Sequence, residues 1–394
     1  MHTFTMIPRD LLFLRDARPM EASDAGLGAN WPRPDQLYSA IHHALLRKWP
    51  EPQTWEGNGE HTFRNKKLPE NKGRSKDKNE NSSFRFGALK TSGPFPAKGG
   101  TVYLPCPLDL GMKLIPIPEG QTDLPAPLTH AFLSKNEGKT TFPQWIPTEM
   151  YRRYMRGEDV AKPDLDKIDI TKLLYAPDRN IGIAIDPETG TTVEHKLYQA
   201  EYLRLKEDVS LAFQAECLVK ARGGNGQGRD LFVEDWTGGD LVMGGQQGIV
   251  RVERTSPELA LPALPNMATP YLRWTLLTPA VFKDGWLPGW CKDSRKNIAE
   301  DQKSLLGTVM LRDCGFAHLI AARVGKPEAF SGWNQQKGRP KPTQLAVPAG
   351  SCYVFDCGSP QNAKLLAGQL HLKPRSDELG EKGYGLGACS SVQI

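Results

Sequence analysis

The chain has no pair of cysteines at C-x-x-C spacing, no apolar run long enough to span a membrane, and no glycine-rich loop that continues into Gly-Lys-Ser or Gly-Lys-Thr. Each absence removes a class of protein. The seven cysteines (Cys106, Cys217, Cys291, Cys314, Cys352, Cys357 and Cys389) are odd in number and scattered. Neither a disulfide framework nor a structural zinc site is expected from them, and reduced thiols in a cytoplasm are the simpler account. Met1 to Asp10 hold no basic stretch followed by an apolar one, which points to a soluble cytoplasmic protein without a signal peptide. Lacking a phosphate-binding loop, the chain gives nucleotide hydrolysis no support, and neither a cofactor nor a metal is expected. No fixed-period repeat is present, which excludes a solenoid. Charge of one sign is also scarce: 50 Lys and Arg against 45 Asp and Glu leave +5. Any grip on nucleic acid must therefore come from local placement of Arg and Lys, not from a global field.

A chain of 394 residues is long for one core, so two globular units are expected, 1–197 and 198–394. Apolar residues at 39% and charged residues at 24% belong to a folded protein, and 38 Gly with 32 Pro make it rich in loops. Phe4 and Met6 alternate with Thr3 and Thr5, the pattern of a half-buried strand stopped by Pro8. After a charged, glycine-containing loop from Arg9 to Arg33, Pro34 suits a first helical turn. Leu37, Ile41, Ala44 and Leu45 recur at helical spacing to Trp49. Lys66, Lys67, Lys72, Arg74, Lys76 and Lys78 are interleaved with Asn, Glu and Gly between Glu60 and Ser82. That segment is too polar to order itself, and reads as a solvated insertion or as a basic arm ordered on RNA. Prolines recurring from Pro94 to Pro147 predict an irregular wrapping segment without central strands. Thr148 to Arg156 is expected as a short helix. Ile181–Asp186 and Thr191–Tyr198 are expected to form an exposed hairpin about Pro187-Glu188-Thr189-Gly190. Further strands are predicted at Tyr271–Leu277, Cys352–Phe355 and Ala388–Ile394, and a helix at Pro360–Leu370.

Three clusters carry chemistry. In Leu12-Phe13-Leu14-Arg15-Asp16-Ala17-Arg18-Pro19 two arginines flank an aspartate that can orient one while the other faces a phosphate, or the group is an ordinary surface ion pair. Asp178-Arg179-Asn180 lies at the base of the expected hairpin, where Arg179 can hold backbone phosphate while the hairpin wedges between bases, or is a solvated arginine on an ordinary hairpin. Two glycine-rich turns, Met243–Gly248 and Lys382–Gly387, would let main-chain N–H groups approach phosphates, and Tyr384 could stack on a base.

In this order along the chain, the clusters resemble the Cmr subunit-three family of type III-B CRISPR effectors, RAMP-superfamily proteins. The resemblance spans most of the sequence. It takes in the Arg15–Pro19 loop, Ile183 to Leu205 with Leu197-Tyr198, Gly244-Gly245, and Thr278-Pro279-Ala280 with Gly285-Trp286. It continues through Gly332-Trp333, Arg339-Pro340-Lys341-Pro342 and Pro348-Ala349-Gly350-Ser351 to the terminal glycine-rich loop. It departs at Gln36-Leu37-Tyr38-Ser39-Ala40, where the family tends to a glycine and a Thr-Leu pair. It departs again at Gln246 and Gln247, where an acidic residue and an arginine are usual. The resemblance implies an α+β fold of two tandem ferredoxin-like (RRM-like) domains, with a thumb-like hairpin over 183–198. It implies no catalysis, docking on the large polymerase/cyclase-type subunit beside a backbone RAMP subunit, capture of the 5′ tag of the crRNA, and only indirect contact with target RNA. The implied tag contacts are Arg15, Arg18, Arg179, Asn180 and the main chain of Gly244, Gly245, Gly383, Gly385 and Gly387. Arg33, His195, Arg251, Lys382 and Tyr384 complete the expected set. The alternative is a metal-independent repeat endoribonuclease of the same superfamily, using His, Tyr or Lys as acid and base. Of His42 and His43 in the first helix, one must then lean toward the core.

Overall fold

The computed structural model of the chain describes residues 1–14, 25–26, 31–50, 55–56, 86–118, 124–125, 127–134, 143–158, 160, 170–221, 228–233, 236–255, 259, 261–291, 308–311, 315–334 and 338–394. For a few strand residues, 193–199 among them, it describes the backbone only. Arg15, Arg18 and the 60–82 insertion lie outside the described residues. The fold is mixed α/β, mostly strands with few helices.

The first sheet is built from β1 (His2–Pro8), β2 (Leu89–Lys98), β3 (Thr101–Pro105) and further strands later in the chain. A hairpin of β4 (Met112–Pro116) and β5 (His130–Ser134) follows β3, and then comes β6 (Trp145–Pro147). Next, β7 (Tyr175–Ile185) and β8 (Thr192–Leu205) form a long antiparallel hairpin. The chain returns to the first sheet with β9 (Val209–Ala221), β10 (Gly238–Val242) and β11 (Ile249–Arg254). Spatially this sheet runs β10-β11-β1-β9-β2-β3-β6. Its four central strands, counted in chain order, stand 4-1-3-2, and every pairing among them is antiparallel.

Helix α1 (Pro34–Lys48) crosses between the first and second of those strands. Its Gln36 Oε1 accepts from the Arg33 backbone N–H at 2.9 Å, and Asp35 lies in the first turn, both favourable at a helix start. Leu37, Ile41 and Leu45 are buried with Phe4, Met6 and Phe213 in the larger core. Phe4 stacks on Phe213 at 5.3 Å and meets Trp236 and Phe232 at 5.4 and 5.7 Å.

A second sheet forms from β12 (Tyr271–Leu276), β13 (Gly315–Arg323), β14 (Cys352–Asp356) and β15 (Gly387–Ser391), with the strand Thr308–Leu311 outside β13. Its order, β13-β14-β12-β15, is again 4-1-3-2 read from the far edge, and again antiparallel. Two short helices, α2 (Thr148–Met155) and α3 (Ile170–Leu174), belong to the stretch before the hairpin. Helix α4 (Pro360–Leu370) joins the third and fourth strands of the second sheet. Ser359 Oγ caps it by accepting from the Asn362 N–H at 3.2 Å. This sheet has its own core of Leu272, Trp274, Tyr353, Phe355 and Leu366.

Two expectations need correction. A boundary at 197/198 would cut the first sheet, because β9 and β11 both follow it and both flank β1. The chain leaves this sheet after Arg254 and enters the second at Tyr271. The proline-rich stretch also does supply a central strand. Pro94 and Pro96 lie in β2, where Gly93 and Pro94 fall in a register shift opposite β9. On its other side β2 is laddered to β3 only at Ala97 and Lys98. A missing N–H at Pro94 or Pro96 therefore costs no ladder bond toward β3.

Candidate nucleic-acid interface

The Leu12–Leu14 segment is held between two other parts of the chain. Leu12 and Leu203 of β8 exchange main-chain bonds at 3.1 and 2.8 Å, and Phe13 bridges to Gly245. The Gly245 N–H donates to the Phe13 carbonyl at 2.8 Å. A Cβ at Gly244 would lie 2.6 Å from the Phe13 carbonyl oxygen, and one at Gly245 2.6 Å from the Phe13 ring. Only glycine permits this approach. Parts of the three clusters singled out in sequence thus meet here: the start of the Arg15–Arg18 loop, the hairpin base and the mid-chain one of the two glycine turns. The Gly245 amide is committed to the Phe13 carbonyl and not open to a phosphate.

Sequence reasoning missed one residue of this junction. Tyr202, on β8, sets its ring 5.4 Å from that of Phe13. Its hydroxyl donates to Gln246 Oε1 at 2.7 Å. The period-two pattern of β8 held the signal for Tyr202, but nothing local ties Tyr202 to position 246.

From this base the hairpin projects. Arg179 is 61% exposed and pairs through Nε with Glu201, directly across the ladder, at 2.8 Å. Asn180 is exposed beside it. Arg204 grips Asp178 through two nitrogens, at 2.8 and 2.6 Å. Ile181, Ile183 and Ile185 alternate along β7 and are 69%, 48% and 62% exposed. At the tip Asp186 Oδ1 accepts from the backbone N–H groups of Glu188 and Thr189, which closes the expected turn. His195 lies on β8, where only the backbone is described. Arg251 is exposed on β11, its Nε 3.7 Å from Asp240, whose carboxylate also takes Arg9 at 2.5 Å.

The terminal glycine loop is elsewhere, and its expected exposure is corrected. Gly383, Tyr384, Gly385 and Gly387 are all buried. The Gly385 N–H donates to the Pro279 carbonyl at 2.7 Å and the Gly383 N–H to Gly380 at 3.1 Å, so these amides are satisfied within the chain. Tyr384 stacks on Phe330 at 5.5 Å and donates to Asp35 Oδ1 at 2.7 Å, which leaves its ring no face for a base. Burial is the chief cause of the upward shift of its phenol, reinforced by Asp35. Arg33 belongs to the same cluster. It pairs with Asp35 at 3.0 Å, donates to the Ser331 carbonyl at 3.2 Å and covers the Phe330 ring. Burial works against its charge, but Asp35 and Tyr384 outweigh this and raise its pKa. Lys382 reaches over the Tyr38 ring. These residues join α1 to the second sheet's loops.

Of the paired histidines, His42 is buried and stacked on Tyr38, and His43 is exposed. Cys106, Cys217, Cys291, Cys352, Cys357 and Cys389 are free and buried. Among the described residues no three His, Cys, Asp or Glu side chains gather into a metal-holding group. Among them, too, no helix is long and apolar enough to cross a membrane.

A family model described as CRISPR-associated protein (Cas_Cmr3) matches residues 4–391. The chain belongs to that family. It is thus a RAMP-type protein of the type III-B Cmr group. No curated protein matches it. Among solved structures, a chain in "Cryo-EM structure of the Type III-B Cmr-beta bound to cognate target RNA and AMPPnP, state 1" is similar at 14% identity and a TM-score of 0.46. That similarity covers 89% of this chain and 86% of the other. A chain in "Crystal structure of Csm3-Csm4 subcomplex in the type III-A CRISPR-Cas interference complex" is similar at 11% identity and a TM-score of 0.35, covering 90% and 92%.

Proposed function

We propose that this Cmr3-family chain is a non-catalytic RNA-holding subunit of a cytoplasmic type III-B effector, gripping the 5′ tag of the crRNA at the Phe13 junction and along the hairpin. The observation that carries this reading is the convergence, on one short segment, of the Arg15–Arg18 loop's starting point, the base of the projecting hairpin and the mid-chain glycine turn. Arg179, Asn180 and Arg251 supply exposed polar groups around it, and Arg15 and Arg18 follow directly from it in sequence. Guanidinium groups suit the sugar-phosphate chain, and the apolar face of Ile181, Ile183 and Ile185 suits unstacked bases. Docking on the large polymerase/cyclase-type subunit and on a neighbouring RAMP subunit belongs to the same reading and rests on family membership. So does division into two ferredoxin-like units, near residues 255–270, which the shared 4-1-3-2 strand order supports. The first unit keeps the helix between strands one and two, and the second keeps the helix between strands three and four.

Sequencing the RNA that copurifies with the tagged chain tests the reading: one shared, repeat-derived 5′ end is expected. Arg179→Ala should weaken that RNA and lower the salt slope by about 0.7, the value for one phosphate contact on a single strand. It should leave stability within about 0.5 kcal/mol, because the pair with Glu201 is at the surface. Copurifying RNA without a common end, or affinity indifferent to salt, would defeat the proposal.

A further inference from the structure

The turn Gly245-Gln246-Gln247-Gly248 joins β10 to β11 and has an unusual backbone. Gln246 and Gln247 both stand in the left-handed region, at φ +54° and +53°. The Gly248 N–H closes the turn on the Gly245 carbonyl at 3.2 Å, and the Met243 N–H reaches the Gly248 carbonyl at 2.8 Å. Two consecutive left-handed central residues define a type I′ turn, a place where Asn-Gly or Gly-Gly is the relaxed choice. Here the glycines occupy the flanks, where Gly245 lets the turn lie against Phe13. Two long side chains take the strained positions. Both glutamine side chains are exposed and neither fills the core.

What the strained conformation achieves is the aim of one carboxamide. The Tyr202 hydroxyl donates to Gln246 Oε1 at 2.7 Å, which fixes the amide's orientation. Tyr202 is itself seated by Phe13 at 5.4 Å and by its place in the β7–β8 ladder opposite Asp178. An amide held by its oxygen keeps its two Nε2 hydrogens for another acceptor. A carboxamide of fixed orientation reads a base edge, whereas a freely rotating one does not discriminate.

We propose that Gln246 is a base-reading residue of the RNA site, and that Tyr202 is the positioning residue that orients it. The ligand is one nucleobase of a single strand, recognised through an acceptor on its edge. This rests on the RNA-holding reading above, and adds to it a sequence-specific contact at a defined side chain.

The test uses the full chain with short single-stranded RNA carrying the 5′ sequence of the copurifying guide, together with each single-base variant of it. Wild-type protein should prefer the native base at one position by roughly tenfold or more. Gln246→Ala should erase that preference at that position alone. Tyr202→Phe keeps the ring on Phe13 and removes only the hydroxyl. It should erase most of the same preference while thermal stability and salt slope stay at wild-type values, a pattern that a merely structural role would not produce. Preferences unchanged in Gln246→Ala, or an equal loss for every RNA in both variants, would overturn the inference while leaving the RNA-holding reading standing. A chain that copurifies with no RNA would overturn both.

Discussion

His371, at the end of α4, uses both ring nitrogens in its neutral form. Nδ1 accepts from the Cys389 N–H at 3.0 Å, and Nε2 donates to the Pro262 carbonyl at 3.0 Å. Burial lowers its pKa, and the Pro262 carbonyl only partly opposes this. A proton on Nδ1 would break the bond to β15. The unfolded chain, with an ordinary histidine near pH 6.5, therefore binds more protons than the folded one below that value. Stability is complete above about pH 6.5 and is lost as pH falls through it toward the lowered folded value. Melting temperature measured from pH 8 to 5 should be flat and then decline, and His371→Gln should flatten the decline. Glu216 acts lower on the scale. Burial opposes its charge, but Lys90 and the N-terminal amine hold its pKa down, so its contribution disappears only as pH falls below the usual carboxylate value.

At the scale of elements, the two glycine-rich turns look alike in sequence and do different work. Both use glycine for close approach, but one lies at a surface junction and the other inside. A Cβ at Gly383, where φ is +89°, would sit 2.6 Å from the Thr91 carbonyl oxygen. The same loop is held by Thr278, whose Oγ1 donates to the Gly383 carbonyl at 2.8 Å and accepts from the Leu386 N–H at 2.9 Å. Gly383→Ala should destabilise the protein by about 1–3 kcal/mol in urea titration. It should leave RNA affinity unaltered wherever the chain is folded. A selective loss of RNA binding with unchanged stability would return this loop to the RNA site. The hairpin was legible as an element because its polar tip and alternating isoleucines stand next to one another in the chain. Its length was underestimated, since β7 starts at Tyr175 and β8 runs to Leu205. Those added residues include the base, where the buried Leu203 meets Leu12.

For the molecule as a whole, a buried ion pair ties the second sheet to the segment before the hairpin. Arg273 of β12 is 7% exposed and Asp109 4% exposed, and they meet at 3.0 Å. Two further guanidinium donors go to Ser390 Oγ and to the Tyr154 carbonyl, both at 3.0 Å. The Tyr154 hydroxyl donates to the other Asp109 oxygen at 2.6 Å. Every partner is satisfied, which is the condition under which a buried pair is tolerated. Asp109→Ala would leave Arg273 charged and alone, at a cost of about 3–5 kcal/mol. Denaturant unfolding followed separately at the two cores should then show the second sheet losing its coupling to the first. Replacing both residues by apolar ones of similar size should recover most of that loss.

Local pattern alone settled the elements whose signal is local. The first strand, α1, the terminal helix and the hairpin turn follow from alternation, helical spacing, Pro at a first turn and a polar tip. Sequence order of the clusters also carried the family. Which clusters share a surface was decided by the tertiary structure, because strand pairing joins residues hundreds of positions apart, as β1 to β9 and β11. A glycine-rich run in sequence does not tell a corner at a surface junction from one enclosed in the interior. Only the neighbour, Phe13 in one turn and Thr91 in the other, separates the two.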